Sequence, residues 1–204
     1  MALSMTVLLI LATVVVSWMA FERPALMARL VFWPAAIRRS HQYDRFVTHG
    51  FVHADLQHLL FNMITLYFFG GPIEAMFQPY IGNLGFALFY LSALVVAILP
   101  SWLRHRRDPS YRSLGASGAV TAVLFAFILV KPWAIIGVFF IPMPAVLYAA
   151  MFVGYSIWSD LRDRDRVNHQ AHLWGAAYGV VFALALEPRL GPAFVERLIH
   201  PSFG

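Results

Sequence analysis

The chain has 204 residues, 60% of them hydrophobic and only 12% charged, with a mean hydropathy of +0.69, a formal net charge of +5 and no cysteine. Soluble domains carry about 25% charged residues, so the surplus apolar surface has to face lipid and the chain reads as an integral membrane protein. Disulfides, thiolate metal sites and a cysteine nucleophile are excluded, and the basic charge, carried by arginines in short loops beside apolar segments, fits lipid headgroups rather than nucleic acid.

Apolar runs bounded by charge, Pro or Gly predict six spans in chain order. The first covers residues 2–20 and is closed by Glu22, Arg23 and Pro24; with no basic stretch before it and no small-x-small cleavage site after it, it reads as an uncleaved span. Residues 21–52 mix Phe32, Trp33 and Pro34 with five arginines and read as a long, partly immersed interfacial loop. The second span, 56–69, is expected to end at Gly70, Gly71 and Pro72, and the third, 81–99, at Pro100. A basic loop over 101–114 leads to the fourth span, 117–131, which stops at Lys131 and Pro132. The fifth covers 135–158, with Pro142 and Pro144 bending or delaying its regular part. After a charged stretch at 160–166 comes the sixth, 169–186. No soluble domain or repeat interrupts this order. The expectation is one all-α, six-helix polytopic bundle over residues 1–204.

Polar residues inside such spans are costly and are functional candidates by default. His58 and Asn62, four apart, share one face of the second helix, with His53 just upstream at its mouth. Their bland reading is hydrogen bonding to neighbouring helices. Ser117 stands in "LGASGAV", between Gly115 and Gly118; a Ser at a helix start is usually an N-cap, yet the free N–H groups of a first turn can also stabilise an oxyanion beside its hydroxyl. His169 and His172 enter the sixth span together, ahead of a stripe of Ala171, Gly175 and Gly179 at every fourth position. Gly118, Ala122 and Ala126 form a matching stripe on the fourth span. Close packing of the two would bring His172 to Ser117, where an imidazole can take the hydroxyl proton.

In this order, "HADLQHLLFN", "GASGAV" and "HQAHLWGAAYG" resemble the rhomboid family of intramembrane serine proteases over nearly the whole chain. The resemblance implies a Ser–His dyad, with Ser117 attacking and His172 acting as base and then acid. His58 and Asn62, with the Ser117 N–H, would form the oxyanion hole, and His53 would support the mouth of the site. Glu74 in "GGPIE" matches a structural Gly-Gly-x-x-Glu pattern, and Gly175 and Gly179 the close helix contact. Substrates would be single transmembrane helices, with no metal and no cofactor. One position departs: where some relatives place a Tyr four residues after the nucleophile to stack on the base, this chain has Thr121.

Two further expectations conflict. With both ends in the cytoplasm, twelve of the fifteen basic residues fall outside, leaving only Lys131, Arg189 and Arg197 within. That is the reverse of the positive-inside bias. The resemblance nonetheless implies this topology, with a site opening to the extracytoplasmic side of a cell membrane such as the bacterial inner membrane, and its motif order is the more specific signal. Among rival functions, an inactive relative acting as a binder or quality-control factor would be expected to lack Ser117 or His172. A zinc enzyme would be expected to show a His-Glu-x-x-His string, and a transporter paired half-helices.

Overall fold

The computed structural model describes residues 4–138, 141–162 and 167–201. Ala2 and Leu3 of the first expected span, Phe139 and Phe140 of the fifth, and residues 163–166 of the charged stretch lie outside the described residues.

Helix α1 (Met5–Glu22) begins where Ser4 accepts the Val7 N–H at 3.3 Å, and Glu74 accepts the N–H groups of Met5 and Thr6 at 2.6 and 2.8 Å. A carboxylate so placed satisfies two orphan donors and complements the helix dipole. The interfacial stretch folds into short helices α2 (Pro24–Leu30), α3 (Pro34–Ser40) and α4 (Arg45–Thr48), then a single 3-10 turn at His49–Phe51. Pro24 and Pro34 start their helices, where a missing N–H costs nothing. The stretch is stapled by Arg45, 3% exposed, whose guanidinium donates to the carbonyls of Ala28 and Val31 and to Gln42 Oε1.

Helix α5 (Leu56–His105) carries the second and third spans as two arms, Leu56–Gly82 and Leu84–His105. The break is at Gly82, with φ +64° and ψ 180°, a conformation nearly restricted to glycine. Phe77 and Phe89 would stand about 18 Å apart along one straight helix; their ring centroids are 5.1 Å apart, so the chain turns back on itself. The first arm corrects the expected end at residue 69, because Gly70, Gly71 and Pro72 lie within it. A Cβ on Gly70 would come within 2.6 Å of Thr6 Cγ2, so Gly70 admits α1 rather than stopping its own helix.

Helix α6 (Ser117–Val130) occupies the fourth segment and is buried on nearly every side, from Gly118 to Ala126 and at Ile128 and Leu129. A helix apolar all round belongs at the centre of its bundle. The start of the expected fifth span is corrected as well. Strands β1 (Ile135–Val138) and β2 (Ile141–Pro144) form an antiparallel hairpin, and helix α7 (Ala145–Arg162) begins only after Pro144. Pro142 faces Gly137 and Pro144 faces Ile135; lacking N–H groups, both prolines serve non-bonded pairs and leave the ladder intact. Helix α8 (His169–Leu186) occupies the sixth segment. The sequence reading missed α9 (Leu190–Ile199), bent by 114° from α8 and held where Trp133 Nε1 donates to the Arg197 carbonyl at 2.9 Å.

Outer helices expose large apolar side chains, among them Leu11, Trp18, Tyr67, Phe68, Leu84 and Leu88. Such a surface is unstable in water and suits a lipid environment. The protein is a polytopic helical membrane protein.

Candidate active site

The site forms where α6 and α8 touch. A Cβ on Gly175 would lie 2.1 Å from the Gly118 carbonyl oxygen, and one on Gly179 would lie 2.0 Å from that of Ala122. No side chain separates the two backbones there. The helices therefore approach as the two small-residue stripes predict, and the first turns of both come to the same depth.

At that depth Ser117 Oγ is 2.8 Å from His172 Nε2, both residues half-buried. Ser117 is not the N-cap. Ala116 holds that position, without a side-chain bond to the helix, and Ser117 is the first helical residue. Its hydroxyl is thereby released to the imidazole, and its N–H is among the first-turn donors that no carbonyl within the helix can reach. The His172 ring is flanked by Phe152 of α7, with centroids 5.7 Å apart and planes at 31°, and by His169, edge-on at 5.8 Å. Phe152 supplies the aromatic neighbour that Thr121, which has no ring, cannot.

His58 lies against the loop that leads to Ser117. A Cβ on Gly115 would come within 2.6 Å of His58 Cε1 and 2.8 Å of Nε2, and Gly115 has φ +111°, so both its conformation and its space require glycine. Asp55 caps α5 by accepting the His58 N–H at 2.7 Å. Asn62, one turn further along the same face and buried, donates one Nδ2 hydrogen to the His58 carbonyl at 2.9 Å.

His53 is corrected in place. It is fully buried rather than at the mouth, and its two nitrogens join three segments. Ala116 N–H points at Nε2 (3.2 Å), so Nε2 accepts and Nδ1 carries the hydrogen toward Ser17 Oγ at 2.9 Å. The Ser17 hydroxyl in turn donates to the Phe51 carbonyl at 2.9 Å. This chain ties α1 to the residue immediately before the nucleophile. Burial pushes the His53 imidazole down to about 3 and that of His49 to about 4, keeping both neutral. His49 gives Nδ1–H to the Arg45 carbonyl, and its own carbonyl accepts the Gly115 N–H at 2.9 Å. Among the described residues, no three His, Asp or Glu side chains converge as metal ligands would.

Glu74 stands well away in function, at the N-terminus of α1, where Thr6 Oγ1 also donates to it at 2.7 Å. The sequence reading missed Asn168, Ser17 and Phe152. An Asn directly before an apolar helix is a legible capping signal; nothing local marks Ser17 or Phe152.

Depth follows from length. Fourteen residues make α6 about 21 Å long, against a hydrocarbon core of about 30 Å. With Lys131 at one interface, Ser117 falls several ångströms short of the other. Backbone and hydroxyl groups at that depth need a water-lined cavity.

The Rhomboid domain model matches residues 40–189 of the chain. A similar protein is RHOMBOID-like protein 12, mitochondrial, of Arabidopsis thaliana, 34% identical over 182 residues that cover 83% of this chain and 54% of that protein. Rhomboid-like protein 11, chloroplastic, of the same plant is 37% identical over 70% of this chain and 52% of its own length. Rhomboid protease GlpG of Photorhabdus laumondii is 30% identical over 60% of this chain and 40% of its own. The chain thus spans about half the length of the two Arabidopsis relatives.

Proposed function

Since the chain belongs to the rhomboid family, we propose that it is an intramembrane serine endopeptidase that cuts transmembrane-helix proteins in or near the bilayer through a dyad of Ser117 and His172. The observation that carries this reading is the 2.8 Å approach of Ser117 Oγ to His172 Nε2 at the end of two backbone-packed helices. His172 takes the hydroxyl proton as Oγ attacks the scissile carbonyl, and returns it to the leaving amine. Water then attacks the acyl-enzyme with His172 again as base. The negative charge on the carbonyl oxygen meets the first-turn N–H groups of α6, with His58 and Asn62 as side-chain donors on the facing helix. A helical peptide bond is shielded by its own hydrogen bonds, so a substrate has to unwind locally, which favours segments with Gly, Pro and small side chains.

The location we propose is a bacterial inner membrane, with the Ser117 end of α6 toward the extracytoplasmic side. The Photorhabdus relative supports a bacterial setting.

The test is cleavage of a model transmembrane substrate by purified protein in detergent or vesicles. Ser117→Ala and His172→Ala should abolish turnover, and Asn62→Ala should lower it about 100- to 1,000-fold while leaving it measurable, the scale of a lost oxyanion donor. Equal, mild losses in all three variants would overturn the assigned roles. Binding of the substrate without cleavage by the unaltered protein would instead favour a non-catalytic binder.

A further inference from the structure

The contact between α6 and α8 seats Gly175 on the Gly118 carbonyl and Gly179 on that of Ala122, and so brings the dyad together. The loop that presents Ser117 and the first turn of α8 both lie beyond those glycines and are left to other contacts. They need a tie of their own, because a displacement of about 1 Å between reacting groups costs about a hundredfold in rate.

Asn168 occupies that position. As N-cap of α8 it accepts the Ala171 N–H through Oδ1 at 3.0 Å. The other half of its amide faces three hydroxyls: Nδ2 lies 3.0 Å from Ser101 Oγ, 3.1 Å from Tyr111 OH and 3.3 Å from Ser113 Oγ. Ser101 Oγ is also 3.1 Å from Oδ1. Two amide hydrogens and three rotatable hydroxyls close such a network without an unmet donor. Ser101 belongs to the second arm of α5, while Tyr111 and Ser113 belong to the loop that runs into Ser117. Ser113 is itself fixed, exchanging both backbone hydrogen bonds with Phe32 at 2.9 and 3.1 Å. Asn168 is four residues, about one helical turn, before His172, and Ser113 is four residues before Ser117. The contact therefore joins the two short segments whose ends have to stay 2.8 Å apart.

We propose that Asn168 is a positioning residue of the dyad, holding the His172 turn of α8 in register with the loop that presents Ser117. This rests on the reading of Ser117 and His172 as nucleophile and base. Asn168 needs no contact with substrate, so its loss should slow the chemical step and leave substrate binding unchanged.

The experiment compares wild type, Asn168→Ser, Tyr111→Phe and the double variant, using a cleavable transmembrane substrate and a fluorophosphonate probe that titrates reactive Ser117. Asn168→Ser keeps a capping oxygen but is too short to reach Tyr111 and Ser113. Expected is a fall of tenfold or more in kcat per titrated site, with KM within twofold and a parallel fall in the rate of probe labelling. The double variant should be no slower than Asn168→Ser, because both remove the same connection. Glu74→Gln, remote from the dyad, should lower the melting temperature without changing kcat per titrated site. The proposal is overturned if Asn168→Ser keeps kcat per titrated site within twofold of wild type whatever its melting temperature. It is also overturned if KM carries the change, or if the two substitutions lower kcat additively. A wild-type protein inert to both substrate and probe would instead fell the dyad reading beneath it.

Discussion

At the scale of single residues, the site depends on which imidazoles are kept neutral. Nε2 of His53 can accept the Ala116 N–H only while unprotonated, and burial holds that group near 3 and His49 near 4, against an ordinary value of 6.5. In the unfolded chain both take up a proton as the pH falls below about 6.5, whereas the folded protein refuses it until far lower. The unfolded state then binds more protons, so stability is fully present above about 6.5 and is lost as the pH falls toward 4, levelling off once the folded values are passed. The melting temperature of the detergent-solubilised protein should decline between pH 7 and 4.5, and His49→Gln, which can still donate to the Arg45 carbonyl, should flatten that decline. An identical slope in the variant would show that other groups govern the acid sensitivity.

At the scale of helices, backbone contact is the strongest constraint. An added methyl at Gly179 would stand 2.0 Å from the Ala122 carbonyl oxygen, and backbone cannot swing aside as a flexible side chain can. Gly179→Ala should therefore force α8 off α6, costing about 1–3 kcal/mol by overpacking and lowering turnover with it. Gly154 is the matched control: it lies in α7 with nothing within 4 Å of its would-be Cβ, so Gly154→Ala should be neutral or slightly stabilising through helix propensity. Melting temperature and cleavage rate measured on both variants check the pair, and equal behaviour would refute the close contact.

For the whole molecule, the short central helix sets Ser117 and Lys131 at opposite ends of α6, about 21 Å apart. Because the chain has no cysteine, single substitutions give unambiguous labels. With the proposed orientation, Arg107→Cys should react with a membrane-impermeant maleimide added to intact cells or spheroplasts, and Lys131→Cys only after permeabilisation. The reverse pattern would restore the orientation that the loop arginines favour and place the site on the cytoplasmic side.

Membrane character, the apolar segments and the residues with chemistry to offer are all legible in the chain of residues. Those properties are written in local composition: an apolar stretch needs no partner to be recognised, and Ser117, His58, Asn62 and His172 stand out because polar groups in such stretches are expensive. Local signals misled where a residue served a distant partner. Gly70 reads as a helix stop but makes room for Thr6, and Pro142 and Pro144 read as kinks in a span but close the outer edge of a hairpin. Packing settles the rest: Ser117 bonds to His172 instead of capping its helix, as the two small-residue stripes anticipate, His53 is a buried tie, Phe152 flanks the base, and Asn168 links both segments. Each of these is a contact between residues twenty or more positions apart, and such contacts exist only once helix faces have met, which depends on the packing of the whole bundle rather than on any stretch of the chain.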